Sequence, residues 1–372
     1  MTGADRKGAS VLSLQAGDRI VVTGAAGFIG SAVTRELLAR GAHVVAALQP
    51  GADQENISGL DIECVEVDLR DETGVRKLID GARVVFHIAA LYRFWSPDPN
   101  EFYDVNVGGT VNVLSAAREA GCERLVYTST VGTIGLDGTG SGRPADERDW
   151  PRIEHLFGAY KRSKYVAEHE VLRAGAEGMP VVLVQPTLPV GPRDRAPTPT
   201  GRTILDFLNG RVPGYVDTSL NVLDVEDLAA GHVAALERGR QGRSYILGGE
   251  NLSFKQILAI VADETGLPRP VIRVPGGVAL GAAHVSELIE GRIAHRRPSV
   301  PLEGAKMATT QMIFSDERAR SELGFRSRPA RDALTRSARW FADNGFVSER
   351  RLARIHWKRP ASDVVSPPGL PD

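Results

Sequence analysis

Thr23-Gly24-Ala25-Ala26-Gly27-Phe28-Ile29-Gly30 decides how this chain is read. The apolar run Ile20-Val21-Val22 before it has the pattern of a short buried strand, and residues 28–39 after it have that of a helix closed by Gly41. Glycines spaced GxxGxxG at a strand-to-helix turn let backbone N–H groups approach a pyrophosphate, with the positive end of the helix facing the negative charge. Gly24, Gly27, Phe28, Ile29 and Gly30 are therefore expected to hold a dinucleotide, although the spacing differs from the commoner GxGxxG. The competing reading is a packing turn without a ligand.

Outward from this turn, strand patterns at 43–48, 62–67, 84–88, 125–128 and 181–184 alternate with helical patterns at 71–79, 102–120 and 159–173. Such alternation implies β-α-β units and a parallel sheet. The expected fold is α/β: a doubly wound, Rossmann-type parallel sheet with a smaller C-terminal substrate-side domain. Residues 1–17 read as a flexible leader and 18–185 as the dinucleotide-binding domain. Residues 186–345 read mostly as the substrate-side domain, with strands near 220–224 and 245–248 as candidates to return to the main sheet. Proline-punctuated sequence from Pro186 to Pro213 reads as loop, and 225–237, 254–265, 278–293 and 330–344 as helices. In the tail, 346–372, Arg350, Arg351, Arg354, Lys358 and Arg359 interleave with Leu352, Ile355 and Trp357 before a proline-rich end. A solvated helical extension and a weak contact with an anionic membrane surface both fit that pattern.

Composition narrows the classes. The chain has 372 residues, 42% hydrophobic, enough to bury a core without staples. Lys plus Arg number 45 against 46 Asp plus Glu, which argues against a strongly basic nucleic-acid binder. Two cysteines without CxxC spacing fit a reduced, cytoplasmic setting. No apolar run reaches the ~18 residues of a membrane span. No HExxH pairing suggests a metal, and no GxSxG suggests a serine hydrolase.

The chemistry is expected from Tyr160-Lys161-Arg162-Ser163-Lys164. Tyr160 and Lys164, four apart on a helix, share one face. A phenol with an ordinary pKa near 10 is a poor acid-base group at neutral pH, and a neighbouring ammonium favours its phenolate. Lys164 is also placed to donate to a nicotinamide ribose. Thr128-Ser129-Thr130 ends a strand where a hydroxyl is placed to hold a substrate oxygen. Near the end of the second strand, Gln49 stands where an acid would mark NAD. The missing carboxylate removes repulsion of a 2′-phosphate and favours NADP, while the absence of an arginine there argues the other way. Asp68, followed by Leu69, is placed to face the adenine or to serve the next helix start.

TGAAGFIG, FHIAA at 86–90, NVGGT at 106–110, YTST at 127–130 and YKRSK resemble the extended short-chain dehydrogenase/reductases, and among them the dihydroflavonol 4-reductase-like branch. The resemblance spans roughly 19–345. Within it, PRDRAPTPTGR, YVDTSLNVLDVEDLAAGH, ALERG and YILGGENL are similar to bacterial hopanoid-associated sugar epimerases. The resemblance implies that Thr130, Tyr160 and Lys164 are catalytic, and that Asn106, His87, Ala89, Pro186 and Thr187 belong to the cofactor site. It also implies a homodimer through paired helices at 102–120 and 159–173. Two departures stand out: the branch often has Arg near Gln49, and His where Asp224 stands.

Phe94 and Trp95 are candidates to cover a substrate ring or to anchor their loop. Arg193, Arg195 and Arg202 are candidates for an anion clamp or for plain solvation. The stretch Gln185 to Pro192 lacks the Arg and Asn pattern of nucleotide-sugar epimerases. The expected activity is an NAD(P)-dependent oxidoreductase acting on a secondary alcohol or ketone. A sugar epimerase or dehydratase with transient oxidation is the alternative, and a non-catalytic dinucleotide sensor is a third reading.

Overall fold

Near-continuous runs of small branched residues make the central strands apolar on both faces, the composition of a covered parallel sheet. In the computed structural model, which describes residues 12–93, 95–136, 143–287 and 310–360 with Glu290 and Lys306, seven strands form that sheet. They are β1 (Arg19–Thr23), β2 (His43–Leu48), β3 (Glu63–Glu66), β4 (Val84–His87), β5 (Arg124–Thr128), β6 (Val181–Pro186) and β10 (Ser244–Leu247). Their order is β10-β6-β5-β4-β1-β2-β3, all parallel. The edge strand β3 is short and carries exposed glutamates, which discourages pairing with another chain.

Helices α1 (Phe28–Ala39) and α7 (Val225–Arg238) cover one face of the sheet. Helices α2 (Glu72–Ile79), α4 (Gly109–Glu119) and α5 (Ala159–Ala176) cover the other. The winding reverses between β1 and β4, and the crevice beyond their C-terminal ends is where such sheets bind ligands. The helix expected at 102–120 begins earlier, as α3 (Asn100–Tyr103), and reaches α4 through a five-residue π turn, Asp104–Gly108.

The second lobe differs from its expected outline. The strand near 220–224, β9 (Ser219–Asp224), stays out of the main sheet. It pairs instead with β7 (Leu188–Val190) and with β11 (Glu250–Ser253). A further pair joins β8 (Gly214–Tyr215) to β12 (Ile272–Arg273). The proline-rich stretch holds a helix, α6 (Pro199–Leu208), with Thr198 as its cap and Pro199 in the first turn, where a missing N–H costs nothing. Helices α8 (Phe254–Thr265), α9 (Gly276–Ser286), α10 (Ala330–Asp343) and α11 (Glu349–Leu352) complete the lobe.

Two boundaries change. Residues 12–17, assigned to the leader, belong to the fold: Leu12 is buried against the α1/α7 core and its N–H bonds the Glu237 carbonyl at 3.2 Å. The tail as far as Pro360 is likewise not a free extension. Leu352, Ile355 and Trp357 pack on the second-lobe core, Arg339 stacks over Trp357, and Arg359 bonds Glu264 and Asp332 at 3.0 and 2.8 Å. Phe94, residues 1–11, the end of the tail from 361 and most of 288–309 lie outside the described residues. No helix among the described residues is long and apolar enough to cross a membrane.

Candidate active site

The glycine turn is locked by its own backbone. Gly24 has φ +71°, and a β-carbon there would sit 2.9 Å from the Ala89 Cα. A β-carbon on Gly30 would meet the Gly24 carbonyl oxygen at 2.0 Å. Helix α1 starts at Gly27 with no capping side chain, so the first-turn amides are left for a ligand. Gly24, Gly27, Phe28, Ile29 and Gly30 line a cleft of about 440 Å³. Gln49, Asp68, Leu69, Ala89, Pro186 and Thr187 line it too, and so do Thr130, Tyr160 and Lys164. Asp68 is chelated by Arg70, which also lines the cleft, and that contact holds the carboxyl below its usual range. The helix cap next to it is Asp71, not Asp68.

Thr130, Tyr160 and Lys164 converge because β5 ends where α5 crosses it. Tyr160 and Lys164 are buried and share one face of α5. The Lys164 Nζ donates to Tyr127 Oη at 2.9 Å and to the Thr128 carbonyl at 2.8 Å. Burial pulls the Lys164 ammonium down to about 7, and the charge of Glu168 opposes that fall. Thr130 caps a single turn, Val131–Thr133, its hydroxyl accepting the Gly132 N–H at 3.0 Å. Ser129 donates instead to Glu168. Tyr92 lies against Tyr160 with ring centroids 4.8 Å apart.

Over residues 20–248 the chain matches the profile of the NAD dependent epimerase/dehydratase family. It belongs to that family. A protein of Synechocystis sp. provisionally named dihydroflavonol 4-reductase is 42% identical, over 89% of this chain and 96% of its own length. Sterol demethylase protein B of Methylococcus capsulatus is 33% identical, over 88% of this chain and 99% of its own. The crystal structure of the protein gox2253 superposes with a TM-score of 0.79 at 42% identity, covering 89% of this chain and 100% of that one. The chain is thus an enzyme of an NAD-dependent family whose members include reductases and epimerases.

In this epimerase/dehydratase fold, His87 and Asn106 sit behind the cleft wall rather than on it. The Thr23 hydroxyl oxygen accepts the Ile88 and Ala89 N–H groups, both at 3.1 Å, so its hydrogen points to His87 Nδ1 at 2.8 Å. His87 Nε2–H then donates to Thr110 Oγ1 at 2.9 Å, and Thr110 to the Asn106 carbonyl at 2.6 Å. Burial pushes His87 down to about 3, in keeping with this neutral tautomer. The Asn106 side chain bonds the Leu91 backbone and donates to Ser163 at 2.9 Å. The π turn thereby ties the loop after β4 to the helix that carries Tyr160.

The substrate candidates are not brought together. Trp95 is half-buried outside the cleft lining. Arg193, at φ +72°, pairs with Glu226, Arg195 reaches Asp53, and Arg202 is exposed away from the cleft. Sequence reasoning missed Met312, which lines the cleft from far along the chain, and Glu168, whose i+4 spacing from Lys164 was a usable signal.

Proposed function

We propose that this enzyme is an NAD(P)H-dependent reductase of an uncharged, largely apolar ketone, running in reverse on the secondary alcohol. The observation that carries the reading is that Thr130, Tyr160 and Lys164 line the same cleft as the glycine turn. The tight turn and the uncapped start of α1 suit a pyrophosphate, so Gly24, Gly27, Phe28 and Ile29 would hold it, with Asp68 and Leu69 at the adenine and Lys164 at the nicotinamide ribose. When bound, such a cofactor supplies or takes up the hydride at the carbonyl carbon. Tyr160 gives its phenolic proton to the carbonyl oxygen in reduction and takes it back in oxidation. Thr130 donates a hydrogen bond to that oxygen. Lys164 places a positive charge one helical turn from Tyr160 and stabilises the phenolate.

The apolar part of the remaining lining, Leu91, Tyr92, Leu188, Pro189 and Met312, supports an apolar substrate, with Thr198 and Thr200 beside it and Glu101 and Lys161 as charged members of the same lining. Of the arginines expected to clamp an anion, Arg193 pairs with Glu226 and Arg195 with Asp53, and Arg202 is not among the residues lining the cleft. The relative named for sterol demethylation is in keeping with that chemistry. NADP is the preferred cofactor on this reading, since neutral Gln49 and cationic Arg70 line the adenosine end of the cleft. A homodimer is proposed through α4 and α5, where Val111 and Val166 are exposed. The unpaired cysteines Cys64 and Cys122 suit the cytoplasm.

The test is to denature freshly purified protein and identify any dinucleotide released. An empty protein that then binds NADPH more tightly than NADH supports the reductase. Near-stoichiometric retained NAD would overturn it in favour of an epimerase or dehydratase, whose cofactor is recycled in place.

A further inference from the structure

We propose that Glu168 is the positioning residue of this site: its buried carboxylate clamps the turn carrying Thr130 against α5 and stands one helical turn from the Lys164 ammonium as its counter-ion. The proposal rests on reading Thr130, Tyr160 and Lys164 as the reacting groups.

Tyr160, Lys164 and Glu168 follow one another at four-residue spacing and form one stripe along α5. Tyr160 and Lys164 reach the cleft, and Glu168 lies beneath it, 3% exposed. Burial raises the Glu168 carboxyl above its usual range, and the hydrogen bonds it accepts and the Lys164 charge oppose that rise and favour the ionised form. Here it accepts from the Ser129 hydroxyl, from the Thr133 hydroxyl at 2.7 Å and from Gln185 Nε2 at 3.2 and 3.3 Å. These donors come from the end of β5, from the turn that follows and from β6. Ser129 and Thr133 bracket Thr130 in sequence, so one carboxylate fixes both flanks of the turn that presents the Thr130 hydroxyl. The Thr133 hydroxyl lies 2.7 Å from the Thr130 carbonyl as well as 2.7 Å from Glu168, so its one hydrogen is shared between the two acceptors, and the Thr133 N–H also reaches that carbonyl at 3.2 Å.

The charge argument is separate. Lys164 Nζ donates to two neutral groups, Tyr127 Oη and the Thr128 carbonyl. The titratable groups facing it are Tyr160 and Glu168 on its own helix, Tyr127 on β5 and His87 on β4. His87 is neutral, and burial raises Tyr127 well above the usual phenol range, so neither offsets the ammonium. Glu168 supplies the opposing negative charge, and Tyr127 and Lys164 are the titratable groups that face it in turn.

The chain has seven lysines, few enough for their Cε carbons to be followed one by one in the full-length protein labelled with carbon-13 lysine. The Lys164 signal is assigned by its loss in Lys164→Arg. In Glu168→Gln, which keeps the shape and removes the charge, the Lys164 midpoint should fall by about one pH unit, tenfold in proton affinity. Thr133→Val removes one donor to the carboxylate and should move the midpoint the same way by less. A folded Glu168→Gln with the wild-type midpoint overturns the proposal. So does a folded Thr133→Val with that midpoint if Glu168→Gln does not fold. Full activity in Tyr160→Phe would remove the catalytic reading yet leave this titration standing, so the two failures are told apart.

Discussion

The two walls of the cleft are made by different physical means. The sheet-side wall is backbone: a glycine turn in which a β-carbon on Gly30 would overlap the Gly24 carbonyl, the uncapped start of α1, and the strand ends that carry Ala89 and Thr130. The facing wall is Leu188, Pro189, Thr198, Thr200 and Met312, brought in by the small sheet and by α6. It is held from behind by a buried charge cluster in which Arg328 chelates Asp227 and approaches Asp224, while Arg336 and Arg193 converge on Glu226. The first wall is specified by steric constraint over a few contiguous residues. The second is specified by partners far apart in the chain. The first is suited to a constant cofactor and the second to a variable substrate.

The comparison breaks most sharply at Gly30. Gly30→Ala forces the turn open, so dinucleotide affinity should fall at least ~100-fold, read by fluorescence titration with NADPH, for a stability cost of about 1–3 kcal/mol. The opposite pattern is expected at Arg328, whose side chain is 1% exposed. Arg328→Met leaves Asp227 as an uncompensated buried acid and leaves Asp224 with Arg336 alone, at 3.5 Å. It should cost about 3–5 kcal/mol in urea unfolding and raise KM for the ketone more than Kd for NADPH.

A smaller effect sharpens the account of the shared floor. His232 Nδ1–H donates to the Leu228 carbonyl at 2.8 Å, and its Nε2 accepts the Thr128 hydroxyl at 2.9 Å. Burial pushes the ring down from 6.5 to about 4. The folded state therefore binds fewer protons than the unfolded state between those values, and stability falls as the pH drops through that window. His232→Asn should make the dependence of stability on pH shallower there by about one proton, ~1.4 kcal/mol per pH unit. Unfolding midpoints at several pH values check it. The smallest effect is expected at Arg202, exposed and outside the cleft. Arg202→Ala should change stability by no more than about 0.5 kcal/mol and leave KM unchanged.

What could be read in the sequence follows the same division. The glycine turn, the parallel strands and the Tyr160–Lys164 spacing are local, because backbone sterics and helical periodicity act over a few residues. Helix α6 was hidden because Pro199 signals a loop as readily as a first helical turn. The π turn at Asn106 was hidden because the contacts that distinguish it are tertiary: the Asn106 side chain bridges the Leu91 backbone and Ser163. Counting arginines in the loop after β6 did not reveal that Arg193 and Arg195 would find Glu226 and Asp53. Nor did the basic tail reveal that its apolar side chains pack against the second lobe.

The central claim is that Tyr160 carries the proton in a hydride transfer whose cofactor lies on the backbone wall. The most direct measurement is NADPH oxidation, followed with a panel of alicyclic and aromatic ketones, by the wild type and by Tyr160→Phe at equal cofactor occupancy. The account predicts turnover in the wild type and a loss of about 10²- to 10⁴-fold in the variant, with NADPH affinity retained. Wild-type turnover in Tyr160→Phe would contradict it.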